Sequence, residues 1–146
     1  MEKIYTLGYQ GKSLDEFIHL LTSNDITLLV DVRSKPVSSI PGFNQRELKE
    51  KLSKKSILYK HMPDMGGMIH DDYHETMKSE NWNKSYSDLK SFAVKGPTAI
   101  MCMEKDPMRC HRRFIMEKLQ KDGWSVVHIG RGVSWKEKRL DDFTHR

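Results

Sequence analysis

The run from Cys102 to Arg113 gathers side chains that could do chemistry together: Cys102, Glu104, Arg109, Cys110, His111, Arg112 and Arg113. Cys102 stands at the carboxyl end of an expected strand, and Asp106-Pro107 fits the cap and first position of a helix starting four residues later. Free N–H groups at such a helix start, with the arginines, would favour thiolate and lower the thiol pKa from about 8.5. The same arrangement suits an oxyanion such as phosphate or sulfate. Cys102 is therefore a candidate nucleophile, the other reading being a buried strand residue. Cys110, four residues before Phe114, reads as packing on the apolar helix face, or as a thiol that resolves an oxidised Cys102 if the two can approach. Glu104 is a candidate acid or base, or else neutralises its arginine neighbours. His111 could move the proton in place of Glu104, while Arg109 and Arg112 would stabilise an anion.

Two other strand ends carry polar residues. In Gly8-Tyr9-Gln10-Gly11-Lys12-Ser13 the glycines, Gly11 among them, let backbone N–H groups approach an anion at the helix capped by Ser13; a tight turn plus cap is the alternative. Tyr9 is the residue best placed to stack on a base. Asp31-Val32-Arg33 puts an acid and a base on one side of a strand, so they pair, or Arg33 faces the ligand edge. His61 ends a further strand and joins the binding set. Cys102, Cys110, His111 and one of His61, His70 or His74 are metal-binding types, but their spacing matches none of the usual zinc patterns; no metal and no cofactor is expected.

These residues need elements to position them. Strands are expected over Lys3–Leu7, Thr27–Val32, Ile57–His61, Thr98–Met103 and Ser125–Ile129. Helices are expected after Ser13, with Glu16 completing a capping box, after Asn44, around Tyr86–Ala93, and from Asp106 to Gly123, with a short one from Asp71. The alternation predicts a single three-layer α/β domain over residues 1–146, a mainly parallel sheet of about five strands with helices on both faces. Ligands of such sheets bind beyond the carboxyl ends of the strands, here the loops after residues 7, 32, 61 and 102. At 146 residues the chain can bury a sizeable core without staples, and its 2 cysteines make no disulfide-rich scaffold. The start lacks a signal-peptide pattern and no apolar run approaches the roughly 20 residues of a membrane helix. The expectation is a cytoplasmic chain with reduced thiols and no membrane partner. A net charge of +5 with 31% charged residues permits nucleic acid but reads first as a solvated surface. Lys136, Lys138 and Arg139 add a basic group after the last strand.

Several segments together resemble the uncharacterised DUF488 family along nearly the full length. They are Thr6-Leu7-Gly8-Tyr9-Gln10-Gly11-Lys12-Ser13, Leu29-Val30-Asp31-Val32-Arg33-Ser34-Lys35-Pro36, Phe43-Asn44, Tyr59-Lys60-His61, Gly66-Gly67 and Cys102-x-Glu104-x-x-Pro107-x-x-Cys110-His111-Arg112. The resemblance brings no established activity, though some members carry a DNA-repair label. A second resemblance, over roughly Ser13 to Trp135, is to rhodanese-like domains: Asp31-Val32-Arg33, then Ile40-Pro41-Gly42, then a strand ending in Cys102, then Gly130-Arg131-Gly132-Val133-Ser134-Trp135. Rhodanese loops hold glycine and arginine close behind the cysteine, whereas here Glu104, Asp106 and Pro107 follow and the first arginine is Arg109. The resemblance therefore implies a rhodanese- or flavodoxin-like architecture, and the altered loop does not carry sulfur or phosphate transfer over with it.

The leading expectation is a small cytoplasmic enzyme, a thiol-dependent transferase or hydrolase, acting on an anionic, nucleotide-like substrate. Two alternatives stand beside it. One is a non-catalytic module that binds a nucleotide or nucleic acid through Tyr9, Arg33, Arg109 and Arg112. The other is a carboxylate enzyme in which Glu104 and Asp31 cleave an N-glycosidic bond of a nucleoside or DNA.

Overall fold

A computed structural model of the chain describes residues 2–67, 72–104 and 110–129. The elements run β1 (Lys3–Gly8), α1 (Leu14–Ser23), β2 (Leu28–Asp31), α2 (Gln45–Ser53), β3 (Leu58–His61), α3 (Tyr73–Thr76), α4 (Glu80–Lys95), β4 (Thr98–Cys102), α5 (Arg112–Lys121) and β5 (Ser125–His128). A 3₁₀ turn, Pro63–Met65, follows β3. The strands form one sheet in the order β3-β2-β4-β1-β5, and every neighbouring pair is parallel.

That order explains why helices cover both faces. From β1 the chain steps to β2 and on to β3 in one direction, then returns to β4 and β5 in the other. Right-handed crossovers taken in opposite directions place their helices on opposite faces. Phe17, Ile18 and Leu21 of α1 and Leu48 and Leu52 of α2 accordingly pack with Leu7, Leu29, Ala99 and Met101. Trp82, Tyr86 and Leu89 of α4 and Ile115, Met116 and Leu119 of α5 pack with Ile4, Val30, Ile100 and Cys102 on the other face. Successive residues of β4 alternate between these two cores, as a strand's two-residue period requires. β2 and β4 are buried at every position, which is why they read as continuous apolar runs.

Register aligns the carboxyl ends: Gly8 lies beside Cys102, and Asp31 beside both Met101 and His61. Backbone bonds carry this edge past the strands, from Tyr9 N to Cys102 O at 3.2 Å and from Val32 N to Met101 O at 3.1 Å. The reversal of direction lies between β1 and β4, whose following helices, α1 and α5, sit on opposite faces; crevices open at such points.

Ser13 caps α1 in a full capping box with Glu16. Asn44 precedes α2 but makes no cap bond to the helix backbone; its Oδ1 accepts from Ser38 N at 2.8 Å and so ties down the preceding loop. The last helix differs from the expected one. It is described from Arg112, with Cys110 in a bend and His111 in a turn before it, while Asp106 and Pro107 lie outside the described residues. Asp71 also lies outside them, and α3 starts at Tyr73 with Asp72 as its cap. Among the described residues no helix is long and apolar enough to cross a membrane.

Candidate functional site: a cysteine-lined cleft

A cleft of about 370 Å³ opens at the carboxyl edge of the sheet, where the loops after β1, β2, β3 and β4 converge. Tyr9, Arg33, Lys35, Gly67 and Glu104 border it, with Cys102, Cys110 and His111 along one wall. Its volume is at the lower end of small-molecule sites, about 300–1,000 Å³. The turn after β3 lies close against the loop after β2 at the entrance. Gly66 sits so near the loop after β2 that an added Cβ would fall 2.5 Å from Ser34 N and 2.6 Å from its Cα.

On the α1–α2 side a charged network closes on itself. Asp31 is fully buried and accepts from Arg33 Nε at 2.9 Å, Arg33 Nη2 at 2.7 Å, Arg33 N at 3.1 Å and the Tyr59 hydroxyl at 2.5 Å. Arg33 also donates to the Phe43 carbonyl at 2.7 Å and the Tyr9 hydroxyl at 3.3 Å. Burial works to lower the guanidinium's pKa, but the hydrogen bond and charge of Asp31, helped by Tyr9, more than offset it and hold it above its ordinary value. Burial first, and then the Asp31 charge, push the Tyr59 phenol up in turn.

On the α4–α5 side the cluster is built of sulfur and imidazole. Cys102 and Cys110 are joined as a disulfide. The first helical N–H of α5, that of Arg112, points at Cys110 Sγ over 3.5 Å. His111 Nδ1 lies 3.8 Å from the same sulfur, while its Nε2 meets the Val32 carbonyl at 3.0 Å. A carbonyl can only accept, so Nε2 carries the proton and Nδ1 turns its lone pair toward the sulfur. Burial pushes the imidazole pKa down to about 4, the Val32 bond working against this and the Arg112 charge adding to it, so the ring is neutral near pH 7. Gly67 keeps room beside it, since a Cβ there would lie 3.0 Å from Nδ1.

The structure brings Cys102, Glu104, Cys110, His111, Arg33 and Tyr9 to one cleft. It assigns several of them different work from that expected. Cys102 and Cys110, expected as reduced thiols and as a resolving pair if they can approach, do approach and are bonded to each other. Cys110 packs into the core beneath α5 as expected, but from the bend before the helix and not from its face, and the helix-end N–H expected to act on Cys102 points at Cys110 instead. Arg112 does not face a ligand. It is fully buried and donates to Thr6 Oγ1 at 2.6 Å and to the Glu104 carbonyl, tying β1 to the segment after β4. Tyr9 is only 1% exposed, and one face of its ring stacks on Phe43 with centroids 4.4 Å apart, so it contributes its hydroxyl to Arg33 rather than an open face to a base.

Asp31 and Arg33 form the ion pair of the two readings, though Arg33 still borders the cleft. Asp31, Gly11, Ser13 and His61 do not border it. Gly11 makes a turn at φ +78°, Ser13 caps, and His61 Nε2 bonds the Arg33 carbonyl at 2.7 Å, so each holds a loop in place. Arg109, His70 and the segment from Gly130 onward lie outside the described residues. Ser34, Lys35, Val37, Gly67 and Met103 border the cleft without having been singled out as site residues. Met103 directly follows β4, Ser34, Lys35 and Val37 lie in the loop after β2, and Gly67 belongs to the Gly66-Gly67 pair after β3, so the strand-end rule extended along those loops would have found them.

The fold and the cleft define a parallel α/β domain with a cysteine-lined crevice at its direction-reversal point. The chain belongs to the DUF488 family, a domain of unknown function, whose family model matches residues 13–119. No curated protein and no solved structure matched it. The rhodanese-like likeness therefore rests on the sequence motifs alone.

Proposed function

We propose that this protein is a small thiol-dependent enzyme acting on an anionic ligand in the cleft, with Cys110 as the attacking thiolate and Cys102 as the resolving thiol. The observation that carries this is the meeting of Cys102, Cys110 and His111 on one wall of the cleft. In the dithiol form, the Arg112 N–H and the positive end of α5 favour thiolate at Cys110. The sulfur attacks an electrophilic sulfur, nitrogen or oxygen atom of the ligand and displaces a leaving group with its bonding electrons. Cys102 sulfur then attacks Cys110 sulfur, the disulfide forms, and the bound fragment leaves with an electron pair and a proton. The two thiols lose two electrons and two protons in all, and an external dithiol reductant restores them. Lys35 and Arg33 give the cleft its cationic side.

Two observations weigh against the alternatives. A carboxylate pair would need Asp31, whose oxygens are already engaged by Arg33 and Tyr59. A base-stacking module would need an open face of Tyr9, which is only 1% exposed with Phe43 and Arg33 against its ring.

The test is iodoacetamide labelling of reduced, folded protein near neutral pH, comparing wild type with Cys102→Ser and Cys110→Ser. The expected result is a fast phase that survives in Cys102→Ser and vanishes in Cys110→Ser. A fast phase lost only in Cys102→Ser would reverse the two roles. Labelling that waits for unfolding in every form would end the thiol reading.

A further inference from the structure

The geometry points to a metal site: we propose that in the dithiol state Cys102 Sγ, Cys110 Sγ and His111 Nδ1 bind one zinc ion, leaving a fourth position open to the cleft. These three ligand atoms lie within 4.8 Å of one another. Zinc bound tetrahedrally at about 2.3 Å from sulfur sets its ligand atoms roughly 3.8 Å apart. Cys110 Sγ and His111 Nδ1 already stand at 3.8 Å. The Cys102 and Cys110 Cα atoms are 7.7 Å apart, a span that leaves room for the two sulfurs to part around an ion.

The surroundings are those of a ligand set. A zinc-bound histidine commonly gives its other ring N–H to a backbone carbonyl, and His111 Nε2 faces that of Val32 at 3.0 Å. The Arg112 N–H at 3.5 Å would hold the Cys110 thiolate in place. Gly67 leaves Nδ1 approachable, because any side chain there would press on it. Two thiolates balance the charge of a divalent cation, and sulfur with imidazole selects a soft one such as Zn²⁺ over Mg²⁺ or Ca²⁺. Three protein ligands with one open position is the pattern of catalytic rather than structural zinc. The open position faces the cleft that Glu104 borders.

The electrons balance simply. An external dithiol delivers two electrons and two protons to the disulfide, giving two thiols and an oxidised dithiol. Each thiol then releases its proton as it binds zinc. Oxidation reverses this and expels the ion.

The site does not rest on the thiol-transfer reading, and the two fail separately. Reduced, metal-free full-length protein is titrated with Co²⁺ under anaerobic conditions, following the cobalt–thiolate charge-transfer band. One equivalent with that band is expected, displaced by Zn²⁺. Cys102→Ser and Cys110→Ser should each weaken binding at least tenfold, as should His111→Gln. Gly67→Ala, which keeps all three ligands, should also weaken it. In wild type, Zn²⁺ should slow alkylation of both cysteines at least tenfold. Folded, reduced wild type that shows no such band, or binding unchanged in both cysteine variants, overturns the proposal. Fast alkylation unaffected by zinc would overturn it too, while leaving thiol reactivity standing.

Discussion

The two faces of the sheet use their polar residues in opposite ways at the same edge. On one, Asp31, Arg33, Tyr59 and Tyr9 satisfy one another, and the carboxylate and guanidinium are both buried. On the other, Cys102, Cys110 and His111 meet through groups that can exchange partners: a sulfur–sulfur bond, an imidazole lone pair and a helix-end N–H. The first arrangement resists change because breaking it strands a charge in the protein interior. Breaking the second strands no such pair of buried charges, because it is joined by a sulfur–sulfur bond and by contacts of a neutral imidazole. A polar strand end is thus closed or open to a new partner according to whether its groups are saturated by their neighbours.

Substitutions can break or sharpen that contrast. The largest effect belongs to Arg33→Ala, which leaves Asp31 buried with Tyr59 as its remaining side-chain partner. A loss of about 3–5 kcal/mol is expected in chemical denaturation. A loss under 1 kcal/mol would show that water reaches the carboxylate and that the network is not closed.

Next comes Gly66→Ala, whose Cβ would meet the Ser34 backbone at 2.5–2.6 Å. About 2–3 kcal/mol should be lost, because backbone rather than a side-chain tip must move. Unchanged denaturation midpoints would mean that the two loops are not held together.

The third concerns pH. The His111 pKa is lowered in the folded state, from 6.5 to about 4, so between those values the unfolded chain binds more protons than the folded one. Stability contributed by the neutral ring is complete above pH 6.5 and is lost as pH falls toward about 4. The loss should be on the order of 2 kcal/mol, measured in chelator with the disulfide intact, and His111→Gln should flatten that slope. An equal slope in the variant would move the effect to other groups.

The smallest is Tyr59→Phe, which removes one 2.5 Å bond to Asp31 but leaves the Arg33 pair. About 1–2 kcal/mol should go, with cysteine labelling rates unchanged because Tyr59 does not border the cleft. A changed labelling rate would show that the two faces are coupled.

The strands were legible because each carried its burial in its composition. Leu28–Asp31 and Thr98–Cys102 are covered on both faces and run almost without interruption in apolar residues. Ser13 and Glu16 announced α1 because a capping box is a local contract between residues three apart. The start of α5 was misplaced since Asp106-Pro107 satisfies the local rule for a helix opening, yet Cys110 and His111 adopt bend and turn. The gathering of candidate residues near Cys102 was visible, but the direction of each side chain was not. Arg112 looked like an anion ligand in sequence, and only the nearness of Thr6, far away along the chain, makes it an interior strut.

By itself the sequence determined the alternation of strands and helices, the family and the chemical types at the strand ends, because those follow from local pattern and spacing. Tertiary structure alone decided strand order, which is set by how crossovers pack and not by any short segment. It also decided which groups are spent on one another. Asp31 meets Tyr59, and His111 meets the Val32 carbonyl, across separations that no periodicity encodes. Whether a side chain is saturated depends on its neighbours in space, and in this chain that separates the closed network of Asp31 and Arg33 from the sulfur and imidazole wall of Cys102, Cys110 and His111.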